Sequence, residues 1–407
     1  MPKPSARSAA APASPIRRLY PLAVEAKRRG KKVYHLNIGQ PDIATPAAFM
    51  RGVREAKVEV LDYAPSPGIP EALEALVRYY GECGLPVARE EILITVGGSE
   101  GITFALTIAC DPGDQVLVPE PFYPNYLGYA RLTNVEIVPI TTCRDEGFHL
   151  PPRGEIEALI SPQTKAILFS HPGNPTGVVY TKTEMEMLVD IALKNDLFII
   201  SDEVYREFVY EGTHTSLLTF PEVRDRAILV DSISKRLSAC GARIGALVSH
   251  NKDVMTAAAK CATIRLSAPT FEQLGLAAFM ADPGHRSVVE EMIGEYQRRR
   301  DLFCSELLDI PGVTFRVPEG AFYVMMGLPV EDSEAFVRWM LTDYPGQETV
   351  MLAPGAGFYV TPGLGKDEAR AAYVLQTEHL RRACEVLADG LSMFNRTLAG
   401  EVIAGRG

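Results

Sequence analysis

From about residue 70 the chain alternates short, nearly unbroken apolar runs with stretches of helical spacing. The runs are EILITV (91–96), QVLVPE (115–120), VEIVPI (135–140), KAILFSH (165–171), LFIISDE (197–203), AILVDS (227–232) and RIGALVS (243–249). Helix candidates such as TKTEMEMLVDIALKND fall between several of them. A strand that is apolar on both faces must be covered on both faces, so the rhythm predicts a mostly parallel sheet between helices. Upstream, Ser14-Pro15-Ile16 opens a helical stretch to about Arg29, and residues 33–38 read as a short strand. Downstream, a long helical segment runs from about Pro283 to Leu308. A smaller α/β region follows, with strand candidates VTFRV, GAFYVMM and ARAAYVL and a last helix from Thr377 to about Phe394.

Composition narrows the class. At 407 residues the chain suits two domains, or one large domain with an appendage. A net charge of -10 leaves no basic surplus to displace counterions from a phosphate backbone, so nucleic acid is not an expected partner. Arg298-Arg299-Arg300, the one basic triplet, lies in a helical pattern and reads as a solvated face. The seven cysteines are scattered with no C-x-x-C pair, and the histidines make no ligand spacing. That favours reduced thiols, no structural metal and a cytoplasmic setting. The start, MPKPSARSAAAPASP, lacks the apolar core of a signal peptide and reads as a flexible arm over residues 1–13. No run approaches the ~18–20 apolar residues that span a bilayer, so no membrane is expected.

The unusual residues sit just after the predicted strands, at the rim where open α/β sheets bind ligands. TVGGSEG follows the first run, PEPFYPNY the second, HPGNPTG the fourth, SDEVY the fifth and DSISK the sixth. Each has an ordinary explanation. Gly-Gly turns are usually only turns, Asn174 between Gly and Pro is turn chemistry, and Tyr123 and Tyr126 are core or rim aromatics. Asp202 is a general base, a metal ligand or, most simply, a helix N-cap. Lys235 is either a solvated loop lysine or a nucleophile whose neighbours, Arg243 and the serines, hold an anion.

Taken together, the clusters meet the needs of one cofactor, pyridoxal 5'-phosphate. It wants a lysine for a Schiff base, an acid for its ring nitrogen and a stacking face. Its phosphate wants an arginine, hydroxyls and a helix N-terminus. The chain offers Lys235, Asp202, Tyr123, Arg243, Ser232, Ser234 and the Gly98-Ser99 turn, with Asn174 and Tyr205 as donors to the phenolate oxygen.

These motifs resemble those of the class I/II pyridoxal-phosphate aminotransferases, the aspartate-aminotransferase-like group of fold type I. The similarity runs from about Ser14 to Leu391, in order, and rests on S-x-S-K with arginine eight positions on, N-P-T-G and D-E-V-Y. It implies a large domain with a mostly parallel seven-stranded sheet between helices, plus a smaller α/β domain. The expected division is an N-terminal segment at 14–48 packing with the small domain, a cofactor-binding domain at 49–290 and a small domain at 291–407.

The resemblance implies residue roles as well. Lys235 is the Schiff-base lysine, Asp202 pairs with the ring nitrogen, Asn174 and Tyr205 hold the phenolate oxygen, and Tyr123 stacks. Gly98, Ser99, Ser232, Ser234 and Arg243 bind the phosphate. Arg370 grips the substrate α-carboxylate, with Gly39 and Asn174 also at the substrate. Tyr63 reaches the phosphate of a neighbouring subunit, which implies a homodimer with shared active sites. The implied reaction moves an amino group between an L-amino acid and a 2-keto acid by a ping-pong route. A lyase, decarboxylase or synthase of the same fold, or a non-catalytic regulator, are the alternatives. Two features depart from the family pattern: tyrosine stands where some members stack tryptophan, and the distal arginine that reads a dicarboxylate has no secure counterpart. Arg265, in ATIRLSAPT, is the candidate for that role, offset by about two positions, with a structural ion pair as the competing reading.

Overall fold

The computed structural model describes residues 2–9 and 14–404. In chain order the strands are β1 Lys32–His35, β2 Ile92–Val96, β3 Gln115–Glu120, β4 Glu136–Thr141, β5 Thr164–Ser170 and β6 Phe198–Asp202. They continue with β7 Ala227–Ser232, β8 Ile244–Val248, β9 Tyr323–Gly327, β10 Glu348–Met351, β11 Ala353–Pro354 and β12 Glu368–Ala372. All seven apolar runs become strands of one sheet, ordered β2-β8-β7-β6-β5-β3-β4. The pairs β3/β4, β3/β5, β5/β6 and β6/β7 are parallel. β8 is antiparallel to both β2 and β7. Every residue of β7 and β8 is buried, as helical cover on both faces requires. Helix Lys182–Lys194 is one such cover, started by a capping box in which the Thr181 hydroxyl accepts from Glu184 N.

This topology gathers the site. The carboxyl ends of β2, β3, β5, β6 and β7 share one rim. Because β8 runs antiparallel, its amino end returns to the same rim and brings Arg243 beside the β7 end.

The second body holds a three-stranded sheet, β11-β12-β9, and the pair β1-β10. Leu19, Ala23, Val33 and Leu36 share an apolar cluster with Phe336, Met340 and Leu387. A division at 290/291 falls inside one continuous helix, His285–Leu308, so no linker separates the two bodies there.

Several expected elements shift. The N-terminal helix spans Tyr20–Arg28 rather than starting at Ser14, and residues 15–19 form turns. Pro21 suits the first helical turn, whereas the stretch before it is engaged elsewhere: Asn37 Nδ2 donates to Ile16 O at 2.7 Å. VTFRV contributes only the single bridge Thr314↔Gly327. Arg316 there is exposed, and its Nε donates to Asp145 O. β10 was not anticipated, since ETVM is too short to show a period and is ordered by pairing with β1. The last helix continues to Ala404. Of the expected arm, Ala6–Ala9 make one helical turn, and residues 1 and 10–13 lie outside the described residues.

Candidate active site

Lys235 sits in a short helical turn, Ile233–Arg236, that leaves the end of β7. Ser232 caps it, its hydroxyl accepting from Ser234 N at 3.2 Å. The Ser232 and Ser234 hydroxyls lie 2.8 Å apart, and Ser232 Oγ also donates to Ile244 O. Beneath the turn, Arg236 Nη1 donates to both Asp231 oxygens at 2.7 and 2.8 Å, which fixes the loop at both ends. Lys235 is therefore not a solvated loop lysine. Its half-buried Nζ donates to Gly39 O at 3.0 Å, with Cys240 Sγ 3.8 Å away.

Arg243 adopts a left-handed conformation, φ 53°. Its Nη1 donates to Cys240 O, and the guanidinium presses so closely on Gly97 that a Cβ there would lie 2.4 Å from Nη2. Gly97, Gly98 and Ser99 form the first turn of helix Gly97–Ala109, whose free N–H groups open toward the same corner. Hydroxyls, guanidinium and helix N-terminus together make a donor set suited to a phosphate.

Asp202 ends β6, and a turn rather than a helix follows, so it is not a helix N-cap. Its Oδ2 accepts from the Tyr126 hydroxyl at 2.5 Å and its Oδ1 from Val204 N at 3.4 Å. Burial pushes the Asp202 carboxyl up to about 6, against the lowering pull of those two donors. Tyr123 stands edge-on to Tyr126, ring centroids 5.6 Å apart. Tyr205 shares a 2.7 Å hydroxyl contact with Tyr323.

Arg370 lies on β12 and is 1% exposed. Its Nη1 donates to Asn174 Oδ1 at 2.9 Å and its Nη2 to Asn37 O at 2.6 Å. Tyr323 and Phe358 flank the guanidinium, centroids at 4.3 and 5.1 Å. Its Nε has no partner, and among the described residues no carboxylate pairs with it. A buried cation surrounded by neutral groups is a receptor for an anion from outside.

The structure thus brings Lys235, Asp202, Tyr205, Asn174, Tyr123, Arg370, Gly39 and the phosphate donors to one rim. Gly39 is required sterically, because a Cβ would fall 1.9 Å from the Tyr323 hydroxyl. Tyr63 is 78% exposed, on a surface stretch with Val60 and Leu61. Arg265 does not face the rim as a free guanidinium. Its Nη2 donates to Ile94 O at 3.0 Å and Ser66 O at 3.3 Å, and its Nε lies 3.4 Å from Glu100. These contacts are those of the competing ion-pair reading, since two carbonyls and a carboxylate already engage the guanidinium.

Sequence reasoning missed Tyr126, Tyr323, Asn37 and Phe358 as members of the site. Tyr126, three residues after Tyr123 in the same PEPFYPNY segment, carried a usable signal. The others gain their roles only from neighbours far along the chain.

Comparison with known proteins agrees with this geometry. Residues 31–387 match the family described as aminotransferase class I and II, whose members depend on pyridoxal phosphate. The aspartate/prephenate aminotransferase of Thermus thermophilus is 33% identical over 372 residues, covering 90% of this chain and 93% of that protein. The structure of Thermus thermophilus aspartate aminotransferase with maleate has a TM-score of 0.88 at 31% identity, covering 96% of this chain and 100% of that one. Alanine aminotransferase from Pyrococcus furiosus gives 0.87 at 29% identity, with the same coverage of 96% and 100%. These similarities favour transamination over the lyase and regulator alternatives. The chain belongs to the class I and II aminotransferase family and is a transaminase.

Proposed function

We propose that this transaminase holds pyridoxal phosphate at the rim described above and takes an acidic L-amino acid, aspartate or glutamate, as donor to a 2-keto acid. The observation that carries the reading is Arg370, a buried cation without a carboxylate, linked through Tyr323 to Tyr205, whose ring lies 6.0 Å from Lys235 Nζ. The cofactor, when bound, supplies a ring that withdraws electrons from the substrate Cα.

The chain's own residues do the rest. Arg370 holds the substrate α-carboxylate through two parallel donors and so fixes which Cα bond the ring can weaken. Lys235 Nζ takes the Cα proton and returns it, acting as general base and then general acid. Asp202, ionised, keeps the ring nitrogen protonated. Gly98, Ser99, Ser232, Ser234 and Arg243 anchor the phosphate, Tyr123 covers the ring, and Asn174 with Tyr205 serves its phenolate oxygen. The preference for acidic donors is supported by the relatives named for aspartate. Arg265 is not assigned to it, because its contacts lie within its own subunit.

We further propose a cytoplasmic homodimer in which Tyr63 completes the partner's phosphate site. Its exposure beside Val60 and Leu61, with Ile264 and Leu266 also exposed, supports an apolar face that a second copy covers. Half-reaction spectra against acidic, aromatic and small apolar amino acids test the donor. Equal or better turnover of alanine would sink the acidic preference. Mixing inactive Tyr63→Ala and Lys235→Ala subunits tests the shared site, and hybrids with no regained activity would rule it out.

A further inference from the structure

Glu120, at the end of β3, is fully buried and takes no part in the chemistry above. Among the described residues no cation pairs with it. Its Oε1 accepts from the Thr141 hydroxyl at 2.9 Å. Its Oε2 accepts from two backbone donors some 240 residues away, Val360 N at 2.8 Å and Thr361 N at 3.2 Å. A carboxylate is costly to bury, and the strand around it is apolar (Val118, Pro119, Pro121, Phe122), so simple core packing would favour a hydrocarbon side chain there. What the carboxylate provides instead is an acceptor for two N–H groups of a remote segment.

That segment matters because of what precedes it. Phe358 O accepts from Phe122 N at 3.0 Å, so the same strand end grips the chain on both sides of Tyr359. Phe358 is the ring that lies 5.1 Å from the Arg370 guanidinium, which also has the Tyr323 ring at 4.3 Å. Past Thr361 the chain runs over the surface, with Pro362 and Gly363 exposed and Gly363 and Gly365 at positive φ. The buried end of this loop is also tied through Tyr359, whose hydroxyl donates to Glu368 at 2.5 Å.

We propose that Glu120 is a positioning residue for the substrate: by holding Val360 and Thr361 it keeps Phe358 against Arg370 and so keeps water from the α-carboxylate site. An ion pair gains strength as water is excluded, so the grip on Phe358 translates into substrate affinity rather than proton transfer. The proposal rests on the reading that Arg370 binds the substrate α-carboxylate.

The test is a kinetic cycle on the holoenzyme. Glu120→Ala should raise KM for both amino and keto acid roughly tenfold while kcat stays within about twofold, as expected when uniform binding is lost. Cofactor retention on dialysis should not change. Glu120→Gln should restore KM, because its carbonyl oxygen accepts the two N–H groups while its amide donates to Thr141. In a Phe358→Ala background the Glu120→Ala effect should vanish, since the ring through which it acts is gone. An unchanged KM, a lowered melting temperature with no change in KM, or an additive effect in the Phe358→Ala background would each overturn the proposal. If the alanine variant is recovered unfolded, Glu120→Thr gives the same comparison. Arg370→Gln separates the two readings. If it leaves KM unaffected, the carboxylate site is misassigned; if it raises KM and Glu120→Ala does not, only the role of Glu120 falls.

Discussion

The Tyr126 hydroxyl donates to Asp202 Oδ2 at 2.5 Å, so the carboxyl proposed to meet the cofactor's ring nitrogen is itself held by a neutral phenol. Burial raises Asp202 from its usual range to about 6, and the Tyr126 bond opposes that rise. In the cofactor-free protein the folded state thus holds a proton that the unfolded chain has released. This part of the stability is complete below the ordinary value near 3.8 and is lost as pH rises through about 6. In the proposed role, cofactor binding runs the other way, because a ring cation needs the ionised form. Affinity should fall as pH drops below about 6.

Tyr126→Phe removes a donor that favours the ionised carboxyl. The midpoint of cofactor retention against pH should move up by roughly one to two pH units, the equivalent of one hydrogen bond to a charged group. Reconstitution of stripped protein between pH 5 and 8 measures it, and an unmoved midpoint refutes the role given to Tyr126.

Arg370→Gln should lower kcat/KM roughly a hundredfold or more for amino and keto acids alike, since it removes the charge proposed to meet their shared carboxylate. Cofactor content should be unaffected. A loss confined to one substrate would show that Arg370 reads a side chain instead.

Arg265→Ala should reduce activity equally across acidic, aromatic and small donors and lower the melting temperature. It detaches the Ser66 and Ile94 carbonyls and leaves Glu100 without its cation. A selective loss of tenfold or more with acidic donors would restore the distal-carboxylate role.

His149 lies between Glu184, 3.0 Å from Nδ1, and Glu319, 3.5 Å from Nε2. Hydrogen bonds to Glu184 and then Glu319 raise it from 6.5 to about 10, outweighing burial. Its folded value is the higher one, so its contribution is complete below about 6.5 and lost as pH rises toward about 10. The melting-temperature gap between wild type and His149→Gln should be widest near pH 6 and close by about pH 10. A gap that is constant over that range would show that the ring acts by packing alone.

Much of this protein was legible in its residues, for a local reason. A strand buried on both faces must be apolar throughout, so the seven runs between 91 and 249 announced the sheet. The spacing of Lys235 and Arg243 was readable too, because the turn between β7 and the antiparallel β8 is short enough to return both to one rim. What periodicity does not carry is the pairing of side chains far apart in sequence. Arg370 meets Asn174 across 196 positions and Asn37 across 333, and only that meeting surrounds its buried guanidinium with neutral partners. Arg265 looked equally available in the chain, yet packing set two carbonyls and Glu100 against it. Residue type and local spacing determined the strands and the candidate chemistry. Burial and long-range partners, which depend on the whole sheet and the second body closing around it, decided which charges are left free to act.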